Sequence, residues 1–359
     1  MLNFLLQDIL VNALENNASD IHLSVGSNPM IRIDGDLIPM LKRPLLTNED
    51  LHSIASALLT SAQIDRFNKE RELDFSFAEV ISQKGVQRFR ANFSYEKGYP
   101  ALALRPIASI IRTIRQLGIP EELKEIGKKN SGLFLVTGPT GSGKSTTLSA
   151  LIEEINLTRS VHIITVEDPI EYLYRSQMAL IHQREIGSDT SSFAEALRRA
   201  MRQDPDVIMI GEPRDLETIS AAVTAAETGH LVLTTLHTRD AAGSIDRMID
   251  VFPPYQQQQV RVQLSSMLLG VLSQQLVPVA SGTGRTIATE YLVANNAVRN
   301  YIREAKTSQI KNVLQTNSAL GMHSMDQNLA KLCSSGMISE KDAIGHAYDV
   351  DSLRRYLMG

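Results

Sequence analysis

Three glycines, a lysine and a hydroxyl stand in the order G-x-x-x-x-G-K-S across Gly138-Pro139-Thr140-Gly141-Ser142-Gly143-Lys144-Ser145. That order suits one chemistry, the holding of a polyphosphate. Glycines let the backbone curl so that its N–H groups point inward at an anion. A helix that starts at the end of the loop adds partial positive charge at the same place. Lys144 then reaches the β- and γ-phosphates, and Ser145 holds Mg²⁺. The flanks agree. Leu133-Phe134-Leu135-Val136-Thr137 reads as a short buried strand, and the residues from Ser145 and Thr146 onward read as a helix. A Gly-rich turn before a helix is the plain alternative, and the strand–loop–helix context argues against it. The nine residues from Gly138 to Thr146 are therefore the candidate contacts to ATP, with Mg²⁺ at Ser145.

Hydrolysis also needs carboxylates near the γ-phosphate, to fix the metal and to aim a water. Two acidic clusters follow apolar runs: Glu167-Asp168-Pro169-Ile170-Glu171 and Gly211-Glu212-Pro213-Arg214-Asp215. Glu212 has the position of a Walker B acid and is assigned to Mg²⁺ and its water shell. Glu167 is assigned to orienting or deprotonating the attacking water. Glu171, and Asp215 with Arg214, read instead as helix-start or surface pairs. Two histidines bracket the run His230-Leu231-Val232-Leu233-Thr234-Thr235-Leu236-His237. His237 lies where a γ-phosphate sensor belongs. His230 is roughly 23 Å away along an extended strand, so the two cannot meet one phosphate or share a metal.

The elements that must position these groups come in two styles. From residue 131 short apolar strands at 133–137, 161–166, 207–210 and 231–235 alternate with helices. This predicts a mostly parallel, helix-covered sheet. Its ligands belong at the carboxyl ends of the strands, where the informative residues fall. From about Tyr255 the chain reads as mainly helical, apart from a strand near 286–292. Before residue 106 the pattern is α+β on an antiparallel sheet. A helix over 3–17 buries Phe4, Leu5, Ile9, Leu10, Ala13 and Leu14, and a strand covers 21–25. A hairpin turns at Asp34-Gly35. A Thr47/Asp50 capping box opens a helix through Phe67, and strands follow at 73–77, 87–95 and 101–105. Arg88 and Arg90 are two apart on one of these, so they share a face while Phe89 points to the core. A solvated strand face is the alternative reading for both arginines.

Composition sets outer limits. The chain has 359 residues, 43% hydrophobic and 21% charged, which suits two globular domains. Its formal net charge of −4 gives no overall basic footprint for nucleic acid. One cysteine, Cys333, excludes an intrachain disulfide and a multi-cysteine metal site. The first residues lack the basic region of a signal peptide, and no apolar run approaches a membrane span.

The order of motifs is similar to that of the type IV pilus retraction ATPases, the PilT family within the secretion ATPase superfamily. The likeness starts at Ala18-Ser19-Asp20-Ile21-His22-Leu23-Ser24. It continues through the P-loop and an Asp box at 166–171. Phe193-Ala194-Glu195-Ala196-Leu197-Arg198-Arg199-Ala200-Met201-Arg202-Gln203-Asp204-Pro205-Asp206 leads to the Walker B strand, and a His box follows at 229–238. Last comes Ala297-Val298-Arg299-Asn300-Tyr301-Ile302-Arg303-Glu304, similar to the C-terminal motif of the retraction branch.

The resemblance implies an N-terminal α+β, PAS-like domain (1–106), a linker (107–118) and a RecA-like ATPase domain with a helical C-terminal part (119–359). It implies a homohexamer with nucleotide between the N-terminal domain of one subunit and the ATPase domain of the next. Glu167 and Glu212 are then catalytic, and Arg88, Arg90 and Arg105 approach the phosphates from the N-terminal domain. An arginine supplied in trans is typically worth about 10³–10⁵ in rate. The implied machine is a cytoplasmic motor docked on the inner face of the inner membrane through a platform protein. A second retraction ATPase is a further implied partner; nucleic acid and direct membrane insertion are not. The motif at 297–304 is the implied coupling element, with a plain amphipathic helix as the alternative. Other readings are an accessory retraction ATPase, an extension or secretion ATPase, and a DNA-translocating ring. Two positions depart from the family pattern. Pro213 follows Glu212 where Met is expected, and Ala305 stands where Gly or Asp is common. The single cysteine also cannot make the four-cysteine zinc site common in extension and secretion relatives.

Overall fold

A computed structural model of the chain describes residues 4–33, 35–41, 43–81, 85–107, 110–282 and 284–358, with the side chain of Ser318 outside that set. Asp34 of the expected hairpin turn, residue 3 of the first helix and 108–109 of the stretch read as a linker lie outside the described residues. The chain forms two compact units. One is Met1–Ile110 with Glu171–Leu173, and the other is Ile111–Ile170 with Tyr174–Gly359.

The first unit holds strands β1 (Asp20–Ser24), β2 (Met30–Ile33), β3 (Asp36–Pro39), β4 (Glu72–Ile81), β5 (Gly85–Glu96) and β6 (Tyr99–Pro106). They pair antiparallel in the order β3-β2-β1-β6-β5-β4. One face is apolar through strand alternation, with Phe89, Ala91 and Phe93 of β5 buried. Helices α1 (Phe4–Glu15), α2 (Asn48–Leu58) and α3 (Ser61–Glu70) belong to the same unit. α1 buries Leu6, Ile9, Leu10 and Ala13. Phe4, expected on that face, is 85% exposed, and Leu6 lies there instead. The helix expected to run through Phe67 is two helices. Thr60 and Gln63 form a second capping box, which starts α3 just after the Thr47/Asp50 box has started α2.

The second unit is built on β7 (Gly132–Thr137), β8 (His162–Glu167), β9 (Leu180–Glu185), β10 (Val207–Ile210), β11 (Leu231–Leu236), β12 (Leu268–Pro278) and β13 (Arg285–Val293). Their order is β13-β12-β7-β11-β10-β8-β9. All neighbours run parallel except β12 and β13. Alternate residues of β7 serve two cores. Leu133 and Leu135 enter one, Phe134 and Val136 the other. The first core is closed by α8 (Leu216–Glu227), α9 (Ala241–Asp250), α10 (Pro254–Met267), α11 (Asn296–Arg303) and α12 (Ile310–Thr316). The second is closed by α4 (Ile114–Leu117), α5 (Leu123–Gly127) and α6 (Lys144–Thr158). α7 (Phe193–Ala200) covers β8, and α13 (Met325–Ser334), α14 (Glu340–His346) and α15 (Val350–Met358) pack on Val277 of β12 and Ala288 of β13.

The region beyond Tyr255 is mainly helical as expected, with β13 near the expected 286–292, but it also holds strand β12, which was not expected. It follows α10 with no loop between them, and its centre carries Ser273, Gln274 and Gln275 instead of an apolar run. Partners on both sides satisfy its backbone, so it is a central strand despite those side chains. Strand β9 was also unexpected, because its half-exposed Leu-Ile-His-Gln-Arg-Glu has no buried stripe. Within 107–118 the chain passes from one unit to the other, and α4 starts there on a Thr113/Gln116 capping box with Ile114 buried. Among the described residues no helix is long and apolar enough to cross a membrane.

Candidate nucleotide site

β7 ends at Thr137 and α6 begins at Lys144, so the P-loop is the strand-to-helix turn. Gly138 sits at φ +146°, where a Cβ would come within 2.3 Å of the Gln274 carbonyl and 2.7 Å of Ser142 Oγ. No other residue fits that approach. Gly141 and Gly143 also hold positive φ. Gly143 caps α6 with no side-chain acceptor, which leaves the first N–H groups of the helix for an anion. Lys144 is buried and donates from Nζ to the carbonyls of Gly138 and Pro139, at 2.8 and 3.0 Å. Ser142 Oγ is buried with no hydrogen-bond partner inside this loop. A cradle shaped by glycine, an uncapped helix start, a lysine and an orphaned hydroxyl suit a polyphosphate. Ser145 and Thr146 lie half-buried on the first turn of α6.

The loop is propped from β12. Gln274 is fully buried; its Nε2 donates to Ser142 O at 2.6 Å, and its Oε1 accepts from Thr147 Oγ1 at 2.9 Å. Thr137 Oγ1 donates to Ser273 Oγ at 2.8 Å. The sequence reading missed these struts. Two glutamines inside a run with no exposed apolar face were the available signal.

Glu212 follows β10 and is gripped by two groups. Arg214 donates Nε and Nη2 to its two oxygens, both at 2.9 Å, and His237 Nε2 lies 3.0 Å from Oε2. Arg214 holds the Glu212 carboxyl below the usual range; partial burial opposes this and His237 adds to it. The other ring nitrogen of His237 is 3.5 Å from Thr140 Oγ1 in the P-loop. The structure thus joins three of the expected residues, Thr140, His237 and Glu212, in one chain of contacts. It adds Arg214, read from sequence as part of a surface pair. Asp215 caps α8 by accepting from Thr218 N at 2.8 Å, a helix-start role.

Glu167 ends β8, in the strand next to β10, with Val166 level with Ile210. It is 7% exposed; Thr165 Oγ1 donates to it at 2.7 Å and Gln183 Nε2 at 3.3 Å. His230 is at the far end of β11, where its Nδ1 is 2.9 Å from Ala225 O. That is a structural contact, well apart from His237.

In the first unit, Arg88 and Arg90 share the polar face of β5, opposite buried Phe89. Arg90 pairs in register with Arg105 of β6. Arg105 is held by Asp20, at 2.8 Å from Nε and 2.7 Å from Nη2, and Arg88 Nη2 donates to Ser76 Oγ at 2.5 Å. Burial pushes the Asp20 carboxyl up, but Arg105 and Ser19 outweigh it and hold it below the usual range.

The Type II/IV secretion system protein family model matches residues 1–312. The chain belongs to that family. The type IV pilus retraction ATPase PilT of Pseudomonas aeruginosa is 46% identical over 337 residues, 94% of this chain and 96% of that protein. The type IV pilus ATPase PilU of the same species is 37% identical over 341 residues, 95% of this chain and 88% of that protein. A crystal structure of the pilus retraction motor PilT with bound ADP superposes with a TM-score of 0.91 at 45% identity, over 97% of this chain and 98% of that one. Within the family the chain is an ATP-hydrolysing enzyme of the PilT type.

For a secretion ATPase, the helix carrying the 297–304 motif has a defined structural duty. Arg299 donates to the carbonyls of Ala294, Ser265, Ser266 and Leu268, and so ties α11 to the α10–β12 junction. At the end of α11, Ala305 has φ +56°. That is the left-handed position that favours glycine, the residue common there in the family.

Proposed function

We propose that this chain is the ATP-hydrolysing motor that powers retraction of a type IV pilus. The observation that carries this reading is that the P-loop, His237 and Glu212 form one network in a chain that matches PilT along nearly its whole length. Lys144 and the N–H groups at the start of α6 bind the phosphates. Ser145 and Glu212 hold Mg²⁺, the latter through water. Mg²⁺ suits such a site because it keeps several waters and takes one or two protein groups plus phosphate oxygens. Among the described residues no cluster of three acids, histidines or cysteines forms a separate metal cage. Glu167, buried and fixed by Thr165, orients the attacking water. His237 reports the γ-phosphate to Glu212. The working form is a homohexamer in the cytoplasm, docked on the inner membrane through a platform protein, with Arg88, Arg90 and Arg105 offered to the neighbouring subunit's nucleotide.

Shortening of single labelled pili tests this in cells lacking the protein and complemented with the natural chain or with Glu212→Ala. Only the natural chain should restore shortening. Equal shortening with both, or with neither, would overturn the motor assignment. The likeness to PilU supports a second reading, an accessory motor beside another retraction ATPase. Under that reading, cells lacking the protein still shorten unloaded pili and fail only against a load.

A further inference from the structure

The segment 346–348, at the end of α14 and ahead of α15, is held by two side chains whose chain neighbours belong to the phosphate site. Gln275 Nε2 donates to His346 O at 3.3 Å, and Gln275 follows Gln274, the strut of the P-loop. Arg239 Nη2 donates to Ala347 O at 2.9 Å. Its guanidinium lies 4.6 Å from the centre of the Tyr348 ring, and Tyr348 Oη donates back to Arg239 O. Arg239 comes two residues after His237, which touches Thr140 and Glu212.

Neither path has slack. β12 is paired on both sides. Beyond His237, Thr238 Oγ1 meets Ser244 Oγ at 2.6 Å, and Asp240 caps α9 by accepting from Gly243 N at 2.7 Å. On the far side Asp326 of α13 accepts from Tyr348 N at 2.7 Å. Contacts with the C-terminal helices therefore begin one residue from the P-loop strut and two residues from the histidine beside Glu212. Chains of packed side chains and hydrogen bonds between rigid elements are a route by which coupling between sites is carried.

We propose that 346–348 is a joint, clamped by Arg239 and Gln275, through which the state of the phosphate site sets the placement of α13–α15. The proposal rests on the nucleotide reading of the site. Arg239 and Gln275 act here as positioning residues, and the coupling must run both ways.

Amide hydrogen exchange of the full chain, with and without Mg²⁺ and a non-hydrolysable ATP analogue, tests it. In the natural chain the analogue should change exchange at both 138–147 and 346–358. In Arg239→Leu/Gln275→Leu the change at 138–147 should persist and that at 346–358 should be lost. Tyr348→Phe keeps the ring under the guanidinium and drops only the hydroxyl, so it should retain part of the response; if the double variant does not fold, this variant and Arg239→Lys decide. An undiminished response at 346–358 in the variants overturns the joint. So does a natural chain that responds at 138–147 alone. No response at 138–147 in any chain overturns the nucleotide reading and the joint with it.

Discussion

His237 stands between a hydroxyl of the P-loop and a carboxylate that two other donors already occupy. Arg214 and His237 together take three of the roughly four acceptor positions of the Glu212 carboxylate, which leaves room for about one more donor, such as a metal-bound water. Arg214 is the larger influence keeping the carboxyl ionised. Arg214→Ala should raise the pKa of Glu212, and protonated Glu212 cannot order the metal's water. The acid limb of kcat against pH should then move to higher pH. An unmoved limb would mean that Glu212 is not the titrating group. Position after a strand was enough to place Glu212 and His237 near the P-loop, where the structure joins them to Thr140. Arg214 was missed because an arginine two residues from an acid in a loop has no periodicity to reveal the pairing. Ala305 is a separate matter of backbone strain. A left-handed alanine costs about 1–2 kcal/mol, partly offset by the freedom glycine adds to the unfolded chain. Ala305→Gly should raise unfolding stability by roughly 0.5–1 kcal/mol, read as a shift of the urea midpoint.

At the scale of elements the sheet that carries the site was legible where strands were apolar and hidden where they were polar. β7, β8, β10 and β11 announce themselves, and their ends locate the chemistry. β12 does not, because the glutamine that props the P-loop breaks its apolar run. Gln274→Leu should show what that strut does. It leaves Ser142 O and Thr147 Oγ1 buried without Gln274, at about 1–3 kcal/mol for each group left unsatisfied. Melting temperature and nucleotide affinity should both fall; unchanged affinity would separate the strut from the loop's function. β13 contributes a buried acid to the start of α9. Glu290 accepts from Ala241 N at 2.8 Å, and burial raises its pKa to about 7 against the opposing backbone donors, with Asp240 and Asp326 adding to the rise. Between its ordinary value of 4.5 and about 7 the folded chain holds a proton that the unfolded chain has released. Stability therefore falls as pH rises through that window and levels off above it. Glu290→Gln keeps an acceptor for Ala241 and should flatten the dependence, measured as unfolding midpoint against pH. A slope that survives the substitution must come from another group.

For the whole molecule the arrangement to test is that of proposed catalytic groups divided between two units. The P-loop, Glu167, Glu212 and His237 belong to the second unit, and Arg88, Arg90 and Arg105 to the polar face of the first. A head-to-tail ring repeats one interface, and under the proposed function each interface joins one subunit's first unit to its neighbour's second. If the arginines act across it, damage to the two sets can be separated by mixing. Arg88→Ala/Arg90→Ala and Glu212→Ala chains should each lose turnover alone, the former by about 10³–10⁵ if the arginines stabilise transition-state charge. Random mixing in equal amounts leaves about one interface in four with both sets intact, because that interface needs its arginines from one kind of chain and its glutamate from the other. Turnover should then pass through a maximum near equal proportions. Mass measurement on the same samples establishes that mixed rings are present. With mixed rings present and turnover absent at every ratio, one of two things follows. Either the arginines serve their own subunit, or every interface in the ring must fire for any to do so. Rings doped with a small fraction of either variant distinguish these, since obligatory firing silences the doped ring far out of proportion to the damaged fraction.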